Sequence, residues 1–198
     1  MTIITIRGTS GSGKSTLARR IMELYPRKEE HFVPRRKNPL YYDYHRGPVG
    51  QVVNGKPLRV LGHYETATGG GDTISDGLDY IAQLAEEGHN AGHDVLYEGL
   101  VISSDRSRIT GFHERGIPTL VVVLNTSLEE CLASVQARRA AKGNVSPLNP
   151  KATTEKHRAV LQMIPKFRAA GVDVHHLNRE DAFQLVRERL NLGYSNDM

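Results

Sequence analysis

The sequence predicts an α/β fold in which helices cover both faces of a five-stranded parallel sheet, giving a three-layer sandwich with one small hairpin-bearing insertion. Two observations support this prediction. Short β-branched runs alternate with amphipathic segments along the 198 residues, and such alternation is typical of a parallel sheet with crossover helices. The pattern shows no internal repeat or low-complexity tract, and the length suits one domain. Residues 1–198 are therefore predicted to form a single domain.

Five apolar segments are predicted to form the sheet. The first is Ile3–Arg7, and the clearest is Thr119–Leu124, whose continuous apolar run is typical of a buried central strand. The Asn54-Gly55 pair indicates a tight turn, so residues 51–58 are predicted to form a hairpin whose second arm enters the sheet. The remaining predicted strands are Leu58–His63, Asp94–Glu98 and Val172–Leu177.

The helices are predicted from the spacing of apolar residues and from end signals. Pro26 ends the first helix, and Ser127 can cap the fourth. Ser75 or Asp76 can cap the second helix, which Gly88 is expected to close. The predicted helices span residues 15–25, 76–87, 105–115, 128–141, 154–170 and 181–190.

Composition indicates where the protein is located and what kind of partner its charge suits, but it does not indicate the activity. The net charge is +4, from 26 basic and 22 acidic residues, which is compatible with an acidic partner such as a nucleotide or DNA. Cys131 is the single cysteine, so a disulfide framework is excluded and a reducing, cytoplasmic location is expected. The sequence has neither a signal peptide nor an apolar run of the ~18 residues expected of a membrane span, so no membrane association is predicted. The oligomeric state is not indicated.

The first strand leads directly into a phosphate-binding motif of the form G-x-x-x-x-G-K-S. Glycines allow backbone N–H groups to turn toward a ligand, and the following helix begins where those groups converge. Lys14 is expected to contact the β- and γ-phosphates of ATP, and the Ser15 hydroxyl is expected to bind Mg²⁺. The predicted nucleotide-binding residues are Gly8, Thr9, Ser10, Gly11, Ser12, Gly13, Lys14, Ser15 and Thr16.

Two carboxylates follow predicted strands, at the sheet edge where ligands bind in parallel α/β folds. Asp72 comes after three successive glycines and is a candidate to accept the proton of a substrate hydroxyl or to hold Mg²⁺ through water. The alternative is that Asp72 or Asp76 only caps the next helix. Glu98 ends a buried strand, where it is expected to support the metal together with Ser15, although a purely structural role stays open.

The end of the fourth helix carries a group of cations. Arg138, Arg139 and Lys142 precede a Gly/Pro-rich stretch, so residues 142–152 are predicted to form a lid-like loop. Arg138 is the candidate for neutralising charge on a transferred phosphoryl group. The alternative is a favourable but functionless interaction of these cations with the helix C-terminus.

Residues 26–57 form the predicted insertion, in which basic residues are interleaved with aromatic ones. Tyr41, Tyr42 and Tyr44 are candidates for stacking on a single-stranded or flipped nucleobase. Asp43 is a second candidate, after Asp72, for the general base that accepts the proton of a substrate hydroxyl. A solvated charge run followed by an ordinary edge strand is the alternative. The histidine pairs lack metal-ligand spacing with a third ligand, so no zinc site is predicted.

These residues favour phosphoryl transfer to a small acceptor group. The central strand is followed by Leu124-Asn125-Thr126-Ser127 rather than Asn-Lys-x-Asp, which disfavours a GTPase. At this point two different functions stay open. One is a small-molecule kinase acting on a free nucleoside, nucleotide or other hydroxylated metabolite, and the other is a nucleotide-dependent regulatory binding protein without transfer chemistry.

The chain also resembles a known family over most of residues 1–140. The shared features are the phosphate-binding motif, Asp94–Leu100, and the more specific run from His63-Tyr64 to Gly69-Gly70-Gly71-Asp72-Thr73. In these features the chain resembles the bacteriophage P-loop kinases that phosphorylate 5-hydroxymethyluracil within DNA, a step in viral thymidine hypermodification.

The resemblance implies a P-loop kinase-like fold, ATP and Mg²⁺ as cofactors, and DNA containing a hydroxymethylated pyrimidine as partner. It also implies a location in the host cytoplasm. Lys14 and Ser15 carry over as nucleotide and metal contacts, and Asp72 and Glu98 carry over as site residues. His63 and Tyr64 would then form a DNA-side wall together with the insertion.

Overall fold

The computed structural model describes residues 1–47, 56–66, 69–99, 102–144 and 146–192. Within these residues, seven strands form one mixed sheet in the order β2-β3-β4-β5-β1-β6-β7. Helices pack on both faces of this sheet, so the α/β class is confirmed. The predicted five-stranded, purely parallel sheet is wrong in strand number and in direction.

Five neighbouring strands of the sheet are parallel, and they are the five that the sequence predicts. β1 lies at the centre between β5 and β6, so the segment that follows β1 emerges in the middle of the sheet edge. These strands are β1 (Ile3–Arg7), β4 (Leu58–Leu61), β5 (Asp94–Glu98), β6 (Thr119–Leu124) and β7 (Asp173–Leu177).

The insertion supplies the two additional strands, β2 (Arg27–His31) and β3 (Tyr41–His45), which run antiparallel along one edge. No strand is predicted from the sequence over the β2 segment. Its residues are charged and mostly exposed, as is common for an edge strand. β3 is the antiparallel neighbour of β4. The first arm of the predicted hairpin, including Asn54-Gly55, lies outside the described residues.

Two helices, α1 (Lys14–Met22) and α6 (Arg179–Arg189), pack together on one face of the sheet. The opposite face carries α2 (Leu78–Asn90), α3 (Ile102–Glu114) and α5 (Lys151–Ala169). α4 (Leu128–Ala140) contacts α5. A three-layer arrangement results, with one apolar cluster on the α1 and α6 side of the sheet and two on the opposite side.

The residues predicted to cap or end the helices can be compared with the observed helix ends. Ser127 caps α4 in a capping box with Glu130, as predicted. The predictions for α2 are wrong at both ends: no side chain caps it, and Asp76 instead pairs with Arg36. Gly88 does not close α2 but lies inside it. Glycine is needed there because a Cβ would come within 2.9 Å of the side chains of Arg59 and Val95. No helix among the described residues is long and apolar enough to cross a membrane.

Candidate active site

The loop between β1 and α1 is held in a fixed shape by glycines and by close neighbours. Gly11 and Gly13 have φ angles of +84° and +94°, which other residues rarely adopt. A Cβ on Gly11 would lie 2.3 Å from the Cys131 carbonyl oxygen, and one on Gly13 would lie 2.8 Å from Cδ of Arg179. The motif therefore needs glycine for its backbone conformation and for the closeness of α4 and α6.

Lys14, Ser15 and Glu98 form the centre of the site. Ser15 Oγ donates a hydrogen bond of 2.6 Å to Glu98 Oε1, and Lys14 Nζ donates one of 3.1 Å to the Thr9 carbonyl. Burial lowers the pKa of Lys14, although the nearby carboxylates of Glu98 and Asp72 oppose this shift. Burial also raises the pKa of Glu98, and here Lys14 and the Ser15 hydroxyl act in the opposite direction.

Asp72 lies on a short 3-10 turn, Gly70–Thr73, which packs tightly over the strand ends. A Cβ on Gly62 would lie 1.9 Å from the Gly70 carbonyl oxygen, and one on Gly70 would lie 2.8 Å from the Glu98 carbonyl oxygen. A Cβ on Gly99 would approach Cγ of Asp72 to 2.8 Å. Because Gly62, Gly70 and Gly99 have no side chains, the turn can approach the strand ends closely, and this places Asp72 beside Glu98. Asp72 does not cap α2, which begins at Leu78.

These residues surround a cleft of about 350 Å³. The cleft contains the predicted catalytic residues Lys14, Asp72, Glu98 and Arg138, whereas Gly8, Thr9 and Ser12 of the motif do not line it. A larger groove, of about 580 Å³, lies between α2 and α3, but no predicted site residue lines it. The cleft is lined by Ser10, Gly11, Gly13, Lys14, Ser15, Thr16, Arg19, Gly69, Asp72, Glu98, Ser134, Arg138 and Arg179.

Sequence reasoning missed two arginines of the cleft. Arg19 lies one helical turn after Ser15, and this i, i+4 spacing could have indicated that both face the same way. Arg179 follows β7, at the sheet edge where ligands bind, and that position could have marked it as a candidate. With Lys14 and Arg138, these arginines give the cleft four cations facing the carboxylates of Asp72 and Glu98. The site is therefore electrostatically prepared for an anionic ligand.

The predicted substrate-contacting residues are split between the two faces of the sheet. Tyr42, Tyr44 and Tyr64 line a second space, of about 390 Å³, that adjoins the cleft. Neither Tyr41 nor Asp43 lines either space, because successive residues of a strand point to opposite faces. Asp43 is buried and accepts two hydrogen bonds of 2.8 Å from Arg59.

The structure thus places Asp43, predicted as a second general base, and Tyr41, predicted to stack on a nucleobase, outside the cleft and outside the space beside it. His63 is half-buried. Its Nε2 lies 3.3 Å from Nδ2 of Asn38, which is within hydrogen-bond distance. It does not line the cleft.

A buried ion pair behind the cleft was also missed. Arg7 and Asp105 are 1% and 2% exposed and bond to each other through Nη2 and Oδ2. Arg7 Nη1 also donates a hydrogen bond of 2.7 Å to the carbonyl of Gly99, the residue after Glu98. The guanidinium therefore ties the end of β1 to the end of β5.

Comparison with known proteins gives close relatives that cover nearly the whole chain. A 5-hmdU DNA kinase from Pseudomonas phage PaMx11 is 48% identical over 189 residues, which cover 95% of this chain and 96% of the relative. A 5-hmdU DNA kinase from Pseudomonas phage M6 is 29% identical, over 98% of this chain and 100% of the relative.

A third relative, the 5-hmdU DNA kinase of Delftia phage PhiW-14, is 26% identical over 96% of this chain and 72% of its own length. No protein-family model matches the sequence. The similarity to the PaMx11 protein covers 95% of the chain and so extends well beyond the phosphate-binding motif. The chain therefore belongs to the family of 5-hmdU DNA kinases.

Proposed function

We propose that this protein has a P-loop kinase fold and transfers the γ-phosphoryl group of ATP to the hydroxymethyl group of 5-hydroxymethyluracil within DNA. The family supports a kinase that acts on such DNA. The observation that carries the proposal is the convergence of Lys14, Ser15, Asp72 and Glu98 in one cleft, although they come from three separate segments. The reaction would take place in the cytoplasm of the infected host, where a phage genome is modified.

Ser15 and Glu98 are the residues that would hold Mg²⁺. Their oxygen atoms lie 2.6 Å apart, and a hydroxyl paired with a carboxylate fits the preference of this cation for oxygen ligands. Mg²⁺ usually keeps several waters and binds substrate phosphates, so one or two protein ligands suffice. The described residues contain no cluster of three or more His, Cys, Asp or Glu that would suit another metal. When bound, Mg²⁺ neutralises charge on the phosphate oxygens.

In the proposed reaction, the hydroxymethyl oxygen forms a bond to the γ-phosphorus, and the bond from that phosphorus to the β,γ-bridging oxygen breaks. Asp72 accepts the hydroxyl proton, because Glu98 is already engaged with Ser15. ADP leaves, and a phosphomonoester remains on the base. Lys14, Arg138 and Arg179 face the charge that develops on the transferred group. The ester can then serve as a leaving group in later base modification.

The target base has to leave the DNA stack to reach this cleft. We assign the DNA-side wall to the insertion, of which residues 26–47 and 56–57 are described, and to the segment around His63 and Tyr64, because Tyr42, Tyr44 and Tyr64 line the space that adjoins the cleft. Residues 142–152 follow Arg138, which lines the cleft, and are proposed as the lid over ATP; residue 145 lies outside the described residues.

The proposal is tested by incubating the protein with ATP labelled at the γ-phosphate, Mg²⁺ and one of three acceptors. These are DNA containing 5-hydroxymethyluracil, the same DNA containing thymine, and the free 5-hydroxymethyldeoxyuridine nucleoside. Label on the hydroxymethylated DNA alone is the expected result. Label on the nucleoside alone would identify a small-molecule kinase. Nucleotide binding without label on any acceptor would identify a regulatory binding protein.

A further inference from the structure

The second space beside the cleft has a distinctive lining. It measures about 390 Å³ and is bordered by Tyr25, Tyr42, Tyr44 and Tyr64, and we call it the tyrosine hollow. Three of these tyrosines are largely buried, so their positions are fixed by the core rather than by a mobile loop. Aromatic rings that border one space suit the π-face of a base.

The hollow and the cleft are neighbouring compartments rather than one space. Tyr64 borders the hollow, Gly69 borders the cleft, and a Cβ on Gly69 would lie 2.6 Å from Cδ1 of Tyr64. Arg19 borders both compartments. Asp72 lines the cleft and not the hollow, so the base that is phosphorylated belongs in the cleft and a base in the hollow would be a different one.

Charge differs between the hollow and its boundary. Two cations, Arg19 and Lys28, and two carboxylates, Glu23 and Glu65, line the hollow, so the charges there are balanced. Lys28 lies 2.8 Å from Glu30 and 3.9 Å from Glu65. An uncharged heterocycle fits such a space better than a phosphate does. Glu65 already accepts a hydrogen bond of 2.8 Å from Tyr42, which fixes the carboxylate at the rim.

Arg19 at the boundary is arranged for a phosphate. Its Nη2 donates to the carbonyls of Tyr64 and Thr66, at 3.1 and 2.8 Å, and its guanidinium lies over the Tyr64 ring. These two bonds hold the side chain in place, and neither Nη1 nor Nε takes part in them. A planar guanidinium held in this way presents donors suited to phosphate oxygens.

We propose that the tyrosine hollow binds the base of a nucleotide adjacent to the target nucleotide, and that Arg19 binds the phosphate between the two. This inference rests on the proposed function and extends it. It gives a physical reason for the enzyme to prefer a DNA strand over a free nucleoside, because only a strand fills both compartments at once.

The experiment compares single-stranded DNAs, each about 15 nucleotides long, that contain one 5-hydroxymethyluracil and differ in one neighbouring nucleotide. That neighbour is either a thymidine or an abasic sugar, on the 5′ or on the 3′ side of the target. The phosphates and the target are identical, so the ratio of kcat/KM with and without the neighbouring base measures what that base contributes. This ratio does not depend on how much of a preparation is folded.

On one of the two sides, removal of the neighbouring base should lower kcat/KM of the wild type by at least about fivefold, the low end of the range for base–aromatic stacking. Tyr44→Leu, which keeps an apolar side chain but removes the ring, should bring this ratio below about two. Tyr41→Leu is the matched control, since Tyr41 is on the same strand but lines neither compartment. It should keep the wild-type ratio.

A second variant covers the case in which Tyr44→Leu does not fold. Glu23 is exposed and borders the hollow, whereas Glu29 is exposed on the other face of β2. Cysteine at either position can be modified with a bulky maleimide, because the native Cys131 is buried. Modification of Glu23→Cys should abolish the ratio, and modification of Glu29→Cys should leave it intact.

Several outcomes would overturn the inference: a wild-type ratio below two on both sides, or a ratio that survives both Tyr44→Leu and the modification at position 23. Failure of the proposed function would look different, since the wild type would then phosphorylate none of the four DNAs.

Discussion

The buried pair of Arg7 and Asp105 allows a prediction whose size follows from the structure. Asp105→Ala removes the carboxylate and leaves the guanidinium, 1% exposed, with the Gly99 carbonyl as its remaining described hydrogen-bond partner. It also removes the acceptor that Tyr97 contacts at 3.3 Å. Loss of one partner of a buried ion pair costs about 3–5 kcal/mol, because the other charge stays buried without compensation.

The assay is equilibrium unfolding followed by circular dichroism, with the melting temperature as a second readout. For a chain of this length, each 1 kcal/mol corresponds to roughly 2–4 °C, so the variant should melt about 6–20 °C below the wild type. Glu180→Ala is the matched control, because it breaks the Arg20–Glu180 pair, whose side chains are 44% and 57% exposed. It should cost less than about 1 kcal/mol.

The double variant Arg7→Met, Asp105→Leu separates the charge effect from a loss of volume. Replacing both charged partners with apolar residues is often close to neutral for stability, so most of the lost free energy should return. The reasoning would be refuted if Asp105→Ala unfolded within about 1 kcal/mol of the wild type. It would also be refuted if the double variant were no more stable than the single one.

Three further predictions concern the cleft. Asp72→Asn should lower kcat by about 10²- to 10⁴-fold with little change in ATP affinity, because the proton acceptor is lost; an unchanged kcat in a label-transfer assay would remove Asp72 as the base. Glu98→Gln should raise the Mg²⁺ concentration for half-maximal rate about 10- to 100-fold, and an unaltered Mg²⁺ titration would contradict the metal role. Gly62→Ala should lower kcat by displacing the Asp72 turn, since its Cβ would lie 1.9 Å from the Gly70 carbonyl oxygen. The control, Gly116→Ala, also has positive φ but meets nothing within 4 Å, so its kcat should match the wild type.

The residues of the site that follow from local spacing could be predicted from the sequence. The phosphate-binding motif is continuous in the chain, and its strand and helix have clear apolar patterns, so Lys14 and Ser15 could be assigned directly. Asp72 and Glu98 were found because ligands in parallel sheets bind beyond the strand ends, where the structure places both.

Other features depend on tertiary packing that no local pattern reveals. Arg179 reaches the cleft because α6 packs on α1, which brings its Cδ close to Gly13. β2 has the composition of a solvated loop and becomes a strand only because β3 offers an edge to pair with. Tyr41 and Asp43 were grouped with Tyr42 and Tyr44 by sequence proximity. The alternation of strand β3 separates them.

The proposed activity requires that the phosphoryl group is transferred to the hydroxymethyl oxygen of a base inside DNA. The most direct measurement is nuclease digestion of the labelled DNA to nucleoside 5′-monophosphates, without phosphatase, followed by mass spectrometry. The label is expected on 5-phosphomethyl-deoxyuridine 5′-monophosphate and is expected to be absent from the products of thymine-containing DNA. Label confined to strand ends, or recovered equally from both DNAs, would contradict the proposed activity.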